Sequence, residues 1–335
     1  MIYKFCTSLL FLLSPLLFGQ THTFAYTHSS FARAVSMGGA FTAVEDATEN
    51  SLFNPAALRG DLYGESPFDL YVNPIGVADA VRHRDDLTLR NKLLAKDAVG
   101  LAGLAVRGLS YAQPVFQFSM LLIEQLSQNP FTSSNKGTQH VLDWHYHLAS
   151  VRLTLADQVS IGATGYAFNH TDPQSQSLIT QFGSSYGILM RPNDSFSAGV
   201  SFFSFPEGPD SLMFQQHRIN NKSINIGVAF RPTSYMTAAL DFRNVSQEEN
   251  NSTNEIHAGV EITPASILAL RAGYFRNYDT EIDTYSIGLG LADFRPYKTS
   301  DRFVLSKIIL NYGLQFEDDP DDLRFSHYLT FLLRL

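Results

Sequence analysis

The sequence predicts an all-β protein: a transmembrane antiparallel β-barrel of 14 strands, with 12 as the alternative, carrying an N-terminal hatch or plug. Three observations carry this expectation: an apolar export signal at the start, a repeated unit of alternating strand, tight turn and alternating strand, and a final alternating strand that runs to Leu335. Hydrophobic residues make up 44% of the chain and charged ones only 17%, and aromatics reach 13%, which is heavy for a soluble enzyme. Mean hydropathy is close to zero, so the apolar residues are spread among polar ones and not gathered into membrane-crossing helices.

Residues 1–19 read as a secretory signal peptide. Lys4 gives the positive start, Phe5 to Phe18 is apolar but too short to span a bilayer, and small or polar residues follow. Cleavage after Gly19 is preferred, with Ala25 as the alternative site. Pro15 interrupts the run and no stop-transfer charges follow it, which argues against an anchor helix. Cys6, the only cysteine, leaves with the signal, so the mature chain has no disulfide framework, thiolate metal site or cysteine nucleophile. A net charge of −8 without a visible basic face disfavours nucleic acid as a partner.

Residues 62–335 are assigned to the barrel. From about Trp144 the unit repeats, with tight turns at Ala156-Asp157, Arg191 to Asp194, Arg231 to Ser234 and Thr263 to Ser266. Pro presets φ in these turns, and Asn, Asp or Ser satisfies the backbone locally. Between them lie the longer or more polar stretches Asn169 to Thr180, Pro206 to Asn221, Asn244 to Asn254 and Asn277 to Glu281. Short turns at one end and long loops at the other are the pattern of an outer-membrane barrel.

The alternation is regular. Ile224, Ile226, Val228 and Phe230 oppose Asn225, Gly227 and Ala229; Ile256, Ala258, Val260 and Ile262 oppose Glu255, His257, Gly259 and Glu261. Tyr285, Ile287, Leu289 and Leu291 likewise oppose Thr284, Ser286, Gly288 and Gly290. A soluble sandwich would show the same alternation. The export signal, aromatics near strand ends such as Phe230, Tyr235, Phe242, Tyr274 and Phe275, and the last strand favour the membrane. That strand places Leu329, Phe331, Leu333 and Leu335 on the outward side, in the manner that barrel-assembly machinery reads, with Leu335 in place of the usual terminal aromatic.

Parity then sets the count. With short turns on the periplasmic side, 11 strands from about His145 return the C-terminus to that side, and an even total needs one or three strands upstream. Leu62 to Asn73 and Ser110 to Ile123 supply them. Residues 77–107, with Leu87, Leu89, Leu93 and Leu94 among charges, read as a helical or plug insertion.

The segment from Phe31 to Leu58 contains Met37-Gly38-Gly39-Ala40 and, further on, Asn54-Pro55-Ala56. It resembles the N-terminal signature of the FadL-type outer-membrane superfamily, which includes long-chain fatty-acid and hydrocarbon transporters and the PorV-type barrels of type IX secretion. The resemblance is close over this segment and only general elsewhere, and Ala57 stands where the family's usual glycine follows the triplet. It implies that residues 20–61 fold into the barrel as a hatch built on Gly38, Gly39, Ala40, Asn54, Pro55 and Ala56. Glycines let a backbone press on the inner wall, Pro55 fixes a turn, and Asn54 can satisfy buried backbone groups. The inward glycines Gly187, Gly199, Gly227, Gly259, Gly273, Gly288 and Gly290 are expected to make room for it. The implied location is the bacterial cell outer membrane, among its lipids.

The candidate lumen residues are Asn225, Asp241, His257, Glu261, Arg271 and Lys307, the charged ones expected to pair with one another or with the hatch. No enzyme is expected and no cofactor. His145 and His147 share a strand face, but polar residues at a strand end explain them better than a metal does. The acidic run Glu317 to Asp322 reads as a solvated external turn, and no glycine-rich phosphate loop or serine elbow is present. Two functions from different classes stand: passage of a small hydrophobic compound such as a long-chain fatty acid, or a non-conducting scaffold of PorV type that holds a secreted protein partner.

Overall fold

The computed structural model describes residues 22–26, 31–60, 66–82, 102–125, 145–171, 178–204, 222–245, 254–265, 268–278, 281–291, 308–319 and 322–335. The first strand, β1, is His22–Tyr26, and β2 is Phe68–Val72. Then come β3 (Val106–Ala112), β4 (Phe116–Gln125), β5 (His145–Ala156), β6 (Val159–Thr171), β7 (Leu178–Asn193) and β8 (Phe196–Ser204). The rest are β9 (Ile224–Thr233), β10 (Met236–Arg243), β11 (Glu255–Ala265), β12 (Leu268–Asn277), β13 (Ile282–Leu291), β14 (Ile308–Asp319) and β15 (Asp322–Arg334). From β2 onward each strand pairs with its sequence neighbour, and β15 returns to β2 through Leu333↔Val72 and Arg334↔Tyr71. The result is a closed antiparallel barrel of 14 strands, the expected one of the two even totals that parity allows.

Its outer face is apolar. Ile226, Val228 and Phe230 are 43%, 37% and 51% exposed, while Asn225 and Ala229 on the opposite face of the strand are 1% and 0%. Leu240, Phe242, Leu270, Tyr285 and Ile287 continue the exposed band on neighbouring strands. In water this surface would be a heavy penalty; in hydrocarbon it is the favoured one, and closure leaves few backbone groups at an open edge.

Closure has an unusual feature at the seam. Pro74 turns the chain from the short β2 into the helix α3 (Pro74–Arg82), which Asn73 caps by accepting a hydrogen bond from Ile75 N at 3.1 Å. β2 therefore covers only the last residues of β15. The opening half of β15 pairs instead with β1, in parallel, from His22↔Arg324 to Tyr26↔Tyr328. α3 occupies part of the stretch read as an insertion; residues 83–101 lie outside the described ones.

The turns differ from the sequence reading by one or two residues. Strands β7, β9 and β11 run on to Asn193, Thr233 and Ala265, so Pro192, Pro232 and Pro264 belong to strand ends. The pairing register shifts at each of these places, as expected where a residue without an N–H enters a ladder. The turn after β7 is tightened by Asn193 Oδ1, which accepts from Ser195 N at 3.0 Å. Asn169 and Thr180, read as loop ends, are strand residues that face each other across β6 and β7 at 2.8 Å.

The lipid-facing assignment is open to direct test. Replacing Val228 by Arg should destabilise the barrel refolded into lipid vesicles by about 2–4 kcal/mol, read from denaturant titration. A cost under about 0.5 kcal/mol, ordinary for a solvated surface position, would contradict it.

Candidate functional site in the barrel lumen

Residues 31–60 run around the inside of the wall. Helix α1 (Ala32–Ser36) lies against β12 to β15, with Ala32 N donating to Thr330 Oγ1 at 3.3 Å. The chain then passes β11 and β10, where Phe41 N, Thr42 N and Thr42 Oγ1 all donate to Asp241 Oδ2 at 2.8 Å. Ser197 Oγ on β8 donates to Ala43 O at 2.7 Å. After the short helix α2 (Asn50–Phe53) comes a 3-10 turn at Pro55–Ala57, where Ser160 Oγ on β6 donates to Ala56 O at 2.7 Å. Gly60 N finally donates to Gln117 Oε1 on β4 at 2.8 Å. A segment that touches opposite walls of a closed ring and is almost wholly buried lies inside that ring.

What lets it approach is a belt of glycines. A Cβ built on Gly162 would overlap the Pro55-Ala56 backbone, on Gly187 the Asn54 side chain, on Gly199 the Thr42 carbonyl and on Gly259 the Met37 carbonyl. Gly227 meets Asp241 and the Thr42 side chain, Gly273 the Gly38 backbone, and Gly288 the Ser36 side chain. Gly290 is different: it accommodates Arg271 and not the inner segment. On the segment's own side, Gly38 and Gly39 hold φ of +63° and +77°, a conformation that other residues adopt at a cost.

The polar groups of the segment are matched one by one. Asn54 Nδ2 donates to Thr42 O at 2.8 Å and to Ile188 O at 3.2 Å, while its Oδ1 accepts from Ala56 N at 3.0 Å. Ala40 is fully buried beside them, with its N–H on Met37 O at 3.1 Å. His257 Nδ1 contacts Gly38 O and its Nε2 contacts Glu255 Oε2 at 2.8 Å. Asn225 Oδ1 accepts from Asn244 N at 3.0 Å, so it serves the wall and not the segment. Lys307 lies outside the described residues.

Two buried charge clusters stand out. In the first, Arg33 forks onto Glu261 at 2.8 and 2.7 Å and reaches Asp46 at 2.5 Å, and Arg271 Nε holds the same Glu261 at 2.6 Å. Two guanidiniums and two carboxylates balance, and Arg33 also lies 5.1 Å over the Phe41 ring. In the second, Glu45 accepts from Arg59 at 2.7 Å and Arg191 at 3.1 Å, with Arg152 at 3.6 Å. Burial alone would raise the Glu45 pKa, but these arginines and Arg231 hold it well below the usual carboxylate range. Sequence reading named Glu261 and Arg271 but missed Arg33, Asp46, Glu45 and the arginines on it. The sequence traces are the arginine and aspartate inside the Phe31 to Leu58 segment and, for Arg191 and Arg231, the repeated Arg-Pro at 191–192 and 231–232.

The lumen is divided. On the β4 to β8 side Leu121, Tyr146, Leu148, Tyr166, Phe168, Leu189 and Phe203 form one apolar cluster with Phe31, Phe41 and Phe53 of the segment. The β10 to β14 side presents Asp241, Arg243, Glu255, His257, Glu261, Arg271 and Asn311, all buried. His147 lies on the other face of β5 from Tyr146 and Leu148, and among the described residues no group of three or more His, Cys, Asp or Glu could hold a metal.

No family model matches this chain, and no curated protein matches it. Among solved structures it is similar to the CymD monoaromatic hydrocarbon channel, with 10% identity, a TM-score of 0.46, and coverage of 90% of this chain and 95% of that one. It is also similar to the Pseudomonas putida toluene transporter TodX, with 12% identity, a TM-score of 0.45, and coverage of 94% and 98%. A mutant porin of Rhodopseudomonas blastica gives 9% identity, a TM-score of 0.36, and coverage of 69% and 77%. Identities and TM-scores are low throughout, so the functional reading rests on the lumen itself.

Arg33→Met should loosen the segment, because it removes the ion pair with Asp46 and half of the Glu261 pairing; breaking such a buried pair costs about 3–5 kcal/mol. Limited proteolysis of the detergent-extracted protein should then cut within residues 31–60 while the barrel stays intact. Protection equal to wild type would contradict the central role of this pair.

Proposed function

We propose that the protein is a bacterial outer-membrane channel that passes a small hydrophobic compound, with residues 31–60 as its hatch. The observation that carries this reading is the aromatic sector of the lumen. A barrel that conducts water and ions keeps a polar interior, whereas here Tyr146, Tyr166, Phe168 and Phe203 line one wall, covered by Phe31, Phe41 and Phe53. When the hatch shifts, this wall offers an apolar solute the contacts it loses on leaving the bilayer. A long-chain fatty acid and a compact aromatic hydrocarbon both fit that chemistry. Signal cleavage after Gly19 is the reading supported by the pairing of β1 with β15, because cleavage at Ala25 would cut away most of β1 and leave the opening half of β15 uncovered.

The second reading, a scaffold that holds a secreted protein at its loops, is favoured by one feature. The segment is bonded to the wall around most of the circumference, through buried charges that are costly to separate. A barrel that never opens needs no more than that.

A covalent lock separates the two. The mature chain is free of cysteine, so Ser36→Cys with Ser286→Cys, positions where Ser286 Oγ lies 3.2 Å from Ser36 O, can tie α1 to β13. In vesicles with a lipopolysaccharide outer leaflet, wild type should raise uptake of labelled toluene or oleate above empty vesicles, and the oxidised variant should lose that gain until it is reduced. Uptake equal to empty vesicles, with a stoichiometric protein partner recovered from the native membrane, would establish the scaffold instead. Intact mass of the purified protein should correspond to a start at Gln20; a start at Tyr26 would refute the role given to β1.

A further inference from the structure

Most wall hydroxyls beneath the inner segment are answered by it. Ser160 donates to Ala56 O at 2.7 Å, Thr164 to Ser51 O at 2.9 Å, Ser197 to Ala43 O at 2.7 Å and Ser286 to Ser36 O at 3.2 Å. Ser201 on β8 and Ser223, just ahead of β9, are different. They are 1% and 2% exposed, yet neither Oγ has a hydrogen-bond partner in the protein. An unpaired polar group held away from water is costly, so each one in a wall of this kind needs a reason.

Their position gives that reason. Ser201 is the next inward residue after Gly199, which lies under the Thr42 carbonyl, so it stands just past the place where the segment crosses β8, toward the long loops. Phe203 follows on the same face, and its N–H donates to Ser223 O at 3.0 Å, continuing the β8–β9 register beyond Phe202↔Ile224. Ser201 and Ser223 are therefore diagonal neighbours on adjacent strands, and such neighbours lie about 7–8 Å apart. One oxygen between them can bond both hydroxyls. Phe203 belongs to the aromatic sector with Tyr146, Tyr166 and Phe168, while β10 begins the charged side with Asp241 and Arg243. The two serines thus stand on the border between the sectors. The Tyr166 hydroxyl inside the aromatic sector is already held by Ser185 Oγ at 2.9 Å. Ser119 and Thr284 are also unanswered, but their facing residues bring no second open hydroxyl: Ser110 and Ser150 are bonded elsewhere, and Phe275 and Glu317 have none.

We propose that Ser201 and Ser223 determine specificity in the solute path, selecting an apolar compound that carries one neutral hydroxyl, an alcohol or a phenol, over the matching hydrocarbon. A serine hydroxyl both donates and accepts, so a solute O–H can donate to one serine and accept from the other. Its ring or chain then lies on Phe203 and the aromatic residues beyond. A pure hydrocarbon leaves both serines unanswered, and an ionised acid brings a charge to two neutral groups. This selection rests on the passage reading above and narrows its solute class.

Toluene and p-cresol are suitable probes, because they share a ring and a methyl group and differ by one hydroxyl. In equilibrium dialysis of the full mature protein in a non-ionic detergent, p-cresol should bind saturably and toluene about tenfold more weakly. The double variant Ser201→Ala with Ser223→Ala should lose about tenfold in p-cresol affinity and keep its toluene affinity within about twofold. Its Tm should equal or exceed that of wild type, since no hydrogen bond within the protein is lost. Equal affinity for the two probes, an unchanged p-cresol affinity in the variant, or a clearly lower Tm, which would give the hydroxyls to the fold, overturns the proposal. Initial uptake rates in the vesicles described above separate this from the passage reading. Uptake of both probes at the level of empty vesicles, with serine-dependent p-cresol binding intact, removes passage and leaves the site. Uptake above empty vesicles that is indifferent to the hydroxyl and to both serines removes the site and leaves passage.

Discussion

The structure depends on one contact: the backbone of residues 31–60 pressed against glycines of the barrel wall. A ring of 14 strands is wider than its own side chains can fill and narrower than an open porin. Something must occupy it or water will. The chain solves this with its own N-terminal segment, and a polypeptide backbone can lie flush on a sheet only where the sheet has no side chains. Gly162, Gly187, Gly199, Gly259 and Gly273 provide that floor, each in van der Waals reach of the segment.

Once the segment lies there, its polar groups need partners out of water, and the rest of the lumen follows from that need. Asp241 answers three donors of Phe41 and Thr42, and Ser160 and Ser197 answer carbonyls. Arg33 is paired on both sides, by Asp46 of its own segment and by Glu261 of the wall. Such pairs add little net stability over an apolar core but penalise every misplaced arrangement, so they fix where the segment sits. The aromatic sector does the opposite: it attracts without direction, and so it is the part of the lumen that a different apolar group could take over.

Much of this was legible in the sequence, for reasons that belong to β-structure. Side chains alternate strictly across a strand, so Ile226 and Val228 against Asn225 and Gly227 fixed outward and inward faces before any coordinate. The lumen positions of Asp241, His257, Glu261 and Arg271 follow from the same rule. Parity, which depends on turn placement only within a residue or two, narrows the strand count to 12 or 14. What the sequence hid was pairing across long separations. Arg33 and Glu261 lie 228 residues apart, and no local period links them. The Arg-Pro repeats read as turn chemistry because proline is so strong a turn signal that the arginine before it reads as part of the turn. The parallel pairing of β1 was equally invisible, because His22–Tyr26 has the composition of an export-signal border and not of a strand.

The account therefore comes down to occupancy of the lumen, and ion conductance reads that directly. In planar bilayers the mature protein should pass no steady ionic current, while a variant lacking residues 31–60, refolded in the same detergent, should open a stable aqueous pore. A wild-type barrel that conducts as freely as the deletion variant would show that the segment does not seat against the glycine belt, and the account would fail with it.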